Sequence, residues 1–536
     1  MRKHFILFAL LACSLSLFSQ DTYSTYSGLI DRIAGLGRRS NVQLTSLGLT
    51  PAARNIWCLR IGGEEREQLP GIAIIAGMDG TGIFGTEMSL RIAEAVSKDE
   101  TLLEKVSFYI IPLANPDVYA NDPTKVRYEK HTNAQPFDDD RDGLIDEDPF
   151  EDLNGDRLIT WMRIEDIGGD WRIHDDDSRV MVKADLSKGE RGGYKMLIEG
   201  TDTDGDGLLN EDGVGGINLN RSLPFNYPAF TEGAGPYPVA SIESRALLDM
   251  LYEQWNIHTV LSFSEFNNLS KAWEAQAPSR ESRIIKRVLP ADGEAFGWVA
   301  ESYQDKVPSK EAPNTRASGG DLMSWAYFHY GRYSFSTPAW WVPKVKQDSA
   351  KNVDMSNETI RFLTWAQRNE QENLWVDWQE YDHPDFPDQK VEIGGMVPYA
   401  NVLPPFAMVD SIADAHVEFV NDLAYMLPRM ELRNVKVEKV NGDLSRITVD
   451  LYNAGTLPTH TALGQRSNWV RKPKVELILN PDEEQYVLAG KAVEIMGPIA
   501  GDQTVQMSWL VWGEGSLVLK AGSPICGFAQ QVIELP

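Results

Sequence analysis

At 536 residues the chain is too long for one compact core, and 42% hydrophobic with 24% charged residues is the makeup of an ordinary globular protein of two or more domains. A formal net charge of −27 argues against a nucleic-acid partner.

Arg2 and Lys3 precede the apolar stretch FILFALLACSLSLF, and SLFSQ ahead of Asp21 resembles a bacterial secretory cleavage site. Residues 1–20 therefore read as a signal peptide, and the protein as secreted, periplasmic or held at the cell surface. LLAC ending at Cys13 loosely resembles a lipoprotein box, but apolar residues continue past the cysteine, which disfavours lipid anchoring there. No later segment has the length and apolarity of a transmembrane span. Cys58 and Cys526 remain, and both read as buried free thiols, although spacing alone cannot say whether they pair.

Residues 72–76 form a short apolar run, broken by Gly77, Gly80, Gly82 and Gly85 and followed by GTEMSLRIAEAVSKD with helical apolar spacing. This predicts strand, glycine-rich turn and helix. In an α/β fold the carboxyl end of such a strand is where a ligand or metal sits, and only Asp79 and Thr81 offer chemistry in this turn. VSFYIIPLANPDVYA is a second strand ending in Asn115-Pro116-Asp117.

Three acidic loops follow: DDDRDGLIDED (138–148), DLNGDRLIT (152–160) and DTDGDGLLNEDG (202–213). Alternating acids and amides wrap oxygens around one point while glycine permits the sharp turn, the arrangement that a six- to eight-coordinate calcium ion needs. The predicted ligands are Asp138, Asp140, Asp142 and Asp146; Asp152, Asn154 and Asp156; and Asp202, Asp204, Asp206 and Asn210. The loops resemble those of EF-hand-like and thrombospondin-like repeats. A solvated acidic loop is the alternative, but carboxylates this dense repel one another without a counter-ion. Such calcium is structural and does not name a function.

GINLNRSLPFNY, the helix SIESRALLDMLYEQW, the strand HTVLSFSEFNN and the helix–strand stretch ASGGDLMSWAYFHYGRYSFSTPAWW complete an α/β sheet with helices on both faces. The domain extends over residues 21–430, with an acidic insert at about 136–213. From 431 to 536 the texture changes to short alternating strands split by Asn-Gly, Gly and Pro turns, which predicts an immunoglobulin-like β-sandwich.

The order of these motifs resembles the zinc carboxypeptidase family, the carboxypeptidase A-like metallopeptidases. NPDVY is similar to the family's N-P-D-G-Y, GINLNRSLPF to G-V-D-L-N-R-N-F-P, and ASGGDLMSWAY with RYSFS to A-S-G-G-S-x-D-W-x-Y with K-Y-S-F-T. The resemblance implies a mixed sheet, a zinc ion held by H-x-x-E and a later histidine, and a glutamate as general base. It also implies an arginine and asparagine that hold a peptide's C-terminal carboxylate.

Placed residue by residue, the zinc positions fall on Asp79, Gly82 and Ser264, and the general base on Pro338. The tyrosine that closes over substrate falls on Thr315. Asn220 and Arg221 match the carboxylate-binding pair, and Arg163 matches the arginine that polarises the scissile carbonyl. Alternation along a strand keeps Ser264 and Glu265 from reaching one pocket together, and Glu87 lies too far along its helix to replace the residue at Gly82. None of the eight histidines stands in H-x-x-E or H-x-x-x-H, and His174 and His383 read as surface or structural.

The resulting expectation is a secreted, catalytically degenerate member that keeps a pocket for peptide or protein C-termini. Two other classes fit the same residues: an active metallocarboxypeptidase with unrecognised ligands, and a calcium-stabilised surface scaffold in which Arg221 merely pairs with a local acid.

Overall fold

A computed structural model describes residues 23–536 apart from 120–125, 139–142, 211, 214, 279–283, 310, 314–318 and 346–353, and apart from the side chain of Thr81. The segment read as a signal peptide lies outside the described residues. No helix among those described is long and apolar enough to cross a membrane.

Helix α1 (Tyr26–Leu36) opens on Thr25, whose hydroxyl accepts the Gly28 N–H. A hairpin, β1 (Val42–Leu49) and β2 (Asn55–Ile61), leads to β3 (Gly71–Ile75) and the helices α2 (Ile83–Val96) and α3 (Glu100–Leu103). After β4 (Ser107–Ile111) come four insert strands, β5 (Trp161–Glu165), β6 (Trp171–Ile173), β7 (Met181–Lys183) and β8 (Tyr194–Ile198). Then follow α4 (Ile242–Glu253), β9 (Ile257–Phe263), α5 (Pro290–Lys306), α6 (Leu322–Phe328), β10 (Tyr333–Thr337) and α7 (Glu358–Arg368). The pair β11 (Trp375–Tyr381) and β12 (Val391–Met396) precedes the long α8 (Val409–Met426).

The first sheet runs β1-β2-β4-β3-β9-β10, parallel from β4 to β10 and antiparallel at the β1–β2 edge. Its central strands are buried throughout, which is why GIAII and SFYII read as continuous apolar runs. Successive residues nevertheless serve opposite faces. Ile72, Ile74, Phe108 and Ile110 pack with α1, α2, α5 and α8, whereas Ala73, Ile75, Tyr109 and Ile111 pack with α4 and α6. The expected α/β sheet covered on both faces is present.

The second sheet, β11-β12-β5-β8-β6-β7, joins the insert to a much later segment. Val391 of β12 pairs with Ile164 of β5, and Met162, Ile164, Val391 and Ile393 form its small core.

The C-terminal strands are all antiparallel and form two four-stranded sheets. They are β13 (Met430–Asn441), β14 (Leu444–Asn453), β15 (Lys474–Ile478), β16 (Tyr486–Ala489), β17 (Val493–Ile495), β18 (Thr504–Trp512), β19 (Gly515–Ser523) and β20 (Gly527–Leu535), ordered β13-β14-β18-β16 and β17-β15-β19-β20. Alternating residues such as Ile447, Val449, Leu451, Leu517 and Leu519 fill one shared core. Cys58 and Cys526 are both free and buried, and burial pushes their thiols up to about 12 and about 11, too high for either to react at neutral pH.

The segment between β14 and β15 docks on β9, α5 and the turn before β10 through buried polar contacts. The His258 ring N–H at Nε2 donates to Pro458 O at 2.9 Å, Thr461 Oγ1 donates to Gly331 O at 2.9 Å, and Ala462 N donates to Asp292 at 2.7 Å. Burial pulls His258 down to about 3 and His460 to about 4, so both are neutral in the fold. The unfolded chain regains a histidine near 6.5 and binds those protons first. The stability these groups contribute is therefore complete above pH 6.5 and falls as pH drops towards 4. Asp292, raised by burial, titrates in the opposite sense and offsets part of the loss. Urea midpoints measured between pH 7 and 4 are expected to fall, and His258→Gln is expected to flatten that slope.

Candidate functional site

The site is built where β3, β9 and β10 end. Beyond β3, Asp79 caps a single 3-10 turn, Gly80–Gly82, that leads straight into α2. Its Oδ1 accepts the Gly82 N–H at 3.1 Å, and the residue is only 2% exposed. The carboxylate where the family has its first zinc histidine thus serves as a helix-start cap. Gly82 is crowded: a Cβ there would lie 3.0 Å from Phe263 O and 3.7 Å from Asp79 Oδ1. A glutamate at this position would have to displace backbone.

Strand β9 stops at Phe263, so strand alternation does not govern the two residues after it. They separate all the same. Ser264 turns inward, sharing a 2.9 Å hydrogen bond between its hydroxyl and that of Ser336 on β10 and accepting Phe266 N. Glu265 instead lines a cleft of about 550 Å³ together with Pro338, Trp340, Arg361 and Met396. Burial and the nearby Asp79 raise the Glu265 carboxyl above the ordinary range, while Arg221 and His131 pull it down, so all four groups share one electrostatic neighbourhood. Thr315 lies outside the described residues.

Asn220 and Arg221 follow Leu219, which anchors them in the core against α4 and α6. Asn220 Oδ1 accepts the Leu322 N–H at 3.2 Å, at the start of α6, and its buried Nδ2 has no acceptor among the described residues. Arg221 is exposed, and its guanidinium makes no hydrogen bond or ion pair among the described residues. Beside it Asp321 caps α6 by accepting Ser324 N at 2.7 Å, and burial raises its carboxyl.

Arg163 is located elsewhere. It sits in β5, its Nε donates to Glu392 of β12 at 2.7 Å, and its guanidinium lies 4.7 Å from the Trp378 ring. Among the described residues its contacts stay within the second sheet and the adjoining Ser178–Met181 turn, and none reaches Asn220, Arg221 or Glu265. Glu87 pairs with Arg32 at 2.6 Å and Arg91 at 2.7 Å, His174 faces Asp354, and His383 is bonded to Gly200 O; all three are structural.

In the acidic loops, Asp202, Asp204 and Asp206 bring one oxygen each within 4.8 Å of one another. Asp202 also accepts the N–H groups of Gly205 and Gly207, and Asp206 that of Leu208. Asn210 turns its amide away, donating to Ile198 O at 2.9 Å. Asp152 accepts from Gly155, Asp156 and Arg157, Asn154 accepts from Asp156, and Asp156 from Leu158. Asp138 accepts Gly143 N, and Asp146 accepts Gly215 N at 2.9 Å; Asp140 and Asp142 lie outside the described residues.

Two anchors beneath these loops carry no signal in the sequence. Buried Asp148 accepts Thr203 N and Asn210 N, and buried Glu199 accepts Leu153, Asn154 and Thr160 N. Nothing in their local pattern separates them from the exposed acids around them.

Residues 35–154 match the family model of zinc carboxypeptidases, and residues 429–534 match a domain of unknown function (DUF8731). No curated protein matches the chain at a significant level. Among solved structures, bovine thrombin-activatable fibrinolysis inhibitor in complex with tick carboxypeptidase inhibitor aligns over 75% of this chain and 97% of its own, at 14% identity and a TM-score of 0.39. Carboxypeptidase A from Helicoverpa armigera aligns over 63% of this chain and 68% of its own, at 12% identity and a TM-score of 0.37. The metallo-carboxypeptidase from Burkholderia cenocepacia aligns over 59% of each, at 12% identity and 0.32. Over residues 35–154, which carry the glycine turn and the strands that flank it, the chain is similar to the zinc carboxypeptidase family.

Proposed function

We propose that the protein is a catalytically degenerate zinc carboxypeptidase relative that binds peptide or protein C-termini, on a fold held by structural calcium. One observation carries the reading: a buried Asn220 Nδ2 without an acceptor sits next in sequence to an exposed Arg221 whose guanidinium makes no hydrogen bond or ion pair among the described residues. A buried donor left unmade is costly, and a planar guanidinium beside it suits a carboxylate.

The residues present do not fit the family's zinc. Asp79 is engaged as a cap, Gly82 has no side chain and a Cβ there would lie 3.0 Å from Phe263 O, and Ser264 is bonded to Ser336. Pro338 offers no base. Glu265 lies beside it in the cleft, but among the described residues neither Glu265 nor Asp79 belongs to a group of three His, Cys, Asp or Glu side chains that converge on one point. Calcium is supported by the converging oxygens of Asp202, Asp204 and Asp206 and by the repeated loop pattern at 138–146 and 152–156. The division at residues 21–430 and 431–536, the immunoglobulin-like character of the second part and secretion through residues 1–20 belong to the same proposal.

Peptides compared with free and amidated C-termini test it. Charge-assisted hydrogen bonds are typically worth about 1.5–3 kcal/mol, so free carboxylates are expected to bind roughly tenfold to a hundredfold tighter. Arg221→Met is expected to erase that preference with the melting temperature unchanged. Equal binding of both forms, or unfolding of Arg221→Met, would favour the scaffold. About one zinc per chain, with peptide hydrolysis lost in Asp79→Ala, would favour an active metallopeptidase.

A further inference from the structure

A second cavity of about 320 Å³ opens beside the cleft that holds Glu265 and shares Thr359, Met396 and Asn401 with it. Most of its walls come from the second sheet, whose strands lie beyond residues 35–154, while Tyr128, Glu129 and Phe150 fall inside that matched segment. Tyr128, Phe150, Trp161, Trp171, Trp375 and Trp378 bring six aromatic rings to it, with Met181, Met196 and Met396 between them. Glu129 is the one charged residue lining it among the described residues, and its carboxylate already accepts Tyr399 N at 3.0 Å. Arg163 stacks on Trp378 and Lys183 on Trp171, so cations of the chain itself occupy those rings.

Polar atoms along the connected space form a second pattern. Trp340 and Arg361 line the larger cleft and Trp375 the smaller cavity; their Nε1, Nε and Nε1 atoms are buried out of solvent reach and without an acceptor among the described residues. Trp340 itself is only 7% exposed. Native proteins rarely leave such donors unmade, and these three lie behind the walls of one connected groove. A cation would need a carboxylate that is not already engaged. An extended peptide supplies a bulky apolar side chain for the rings, and methionines adapt to such a side chain readily.

We infer that the second-sheet cavity is a specificity subsite for an aromatic or bulky apolar side chain of a bound peptide. The inference builds on the peptide-binding reading above, but it rests on different residues and fails separately.

The test uses the full chain and pentapeptides scanned with phenylalanine against alanine, each with a free or an amidated C-terminus, titrated by calorimetry. One upstream position is expected to favour phenylalanine by roughly tenfold to a hundredfold, the range for burying such a side chain. Trp161→Ala removes a wall that is 42% exposed and so tolerant of change, and Met196→Phe fills the space. Both are expected to abolish the phenylalanine preference and to leave the free-versus-amidated ratio intact. A phenylalanine preference that persists when amidation has no effect would support the subsite and overturn the carboxylate reading alone. No phenylalanine preference at any position, or one unchanged in both variants, would overturn the subsite. Failure of every peptide to bind would overturn both.

Discussion

Phe263→Ala is expected to destabilise the protein by about 3–5 kcal/mol, the usual cost of removing a buried phenylalanine. Phe263 is 1% exposed and forms the wedge between β9 and α2. Its carbonyl crowds Gly82, and a Cβ on Gly85 would lie 2.2 Å from its own Cβ. Gly85→Ala alone is therefore expected to cost about 1–3 kcal/mol through overpacking, although alanine is the better helix former. Alanine at 263 keeps the Cβ that lies 2.2 Å away and removes only Cγ and the ring, so in the Phe263→Ala background the same substitution is expected to remain destabilising, but by less, because the emptied space lets the two Cβ atoms move apart. Urea denaturation of the four proteins gives the coupling directly. Additive costs would mean that α2 does not rest on Phe263. The same contact explains the glycines of the turn, where the sequence alone suggested a ligand-bearing loop: they let a helix approach a strand.

Chelation is expected to lower the melting temperature, because a ion bound only by the native state stabilises it by mass action. The effect reaches about 2.7 kcal/mol when free calcium is a hundredfold above its dissociation constant. Asp202→Ala should remove most of that response, since it takes one of the three converging carboxylates and the acceptor for Gly205 and Gly207. Asp152→Ala reports on the other loop independently. A melting temperature indifferent to excess chelator would leave these as solvated turns held by their own backbone amides.

Much of the first sheet was legible because buried parallel strands and amphipathic helices leave strong patterns, as in GIAII or the helix SIESRALLDMLYEQW. The motif matches located the substituted turn for the same reason. The second sheet was not legible. WMRIE and VEIGGM are short, and nothing in either announces a partner more than two hundred residues away. Arg163 shows the consequence: its sequence neighbours suggested a substrate contact, while its structural partner, Glu392, arrives from β12. The aromatic cavity was hidden for the same reason, since its rings come from segments that look unrelated until the strands pair.

That pairing also sets a timetable for the chain as it is made. Arg163 and Glu392 are 229 residues apart, and β5 stays without β12 until the later strand has been synthesised. At about 5–20 residues per second that delay is on the order of 10 to 45 s. Through that interval Met162 and Ile164 lack the partners that later bury them. The acidic insert is thus a nascent segment waiting on a distant strand, and its dense negative charge keeps neighbouring chains apart while it waits.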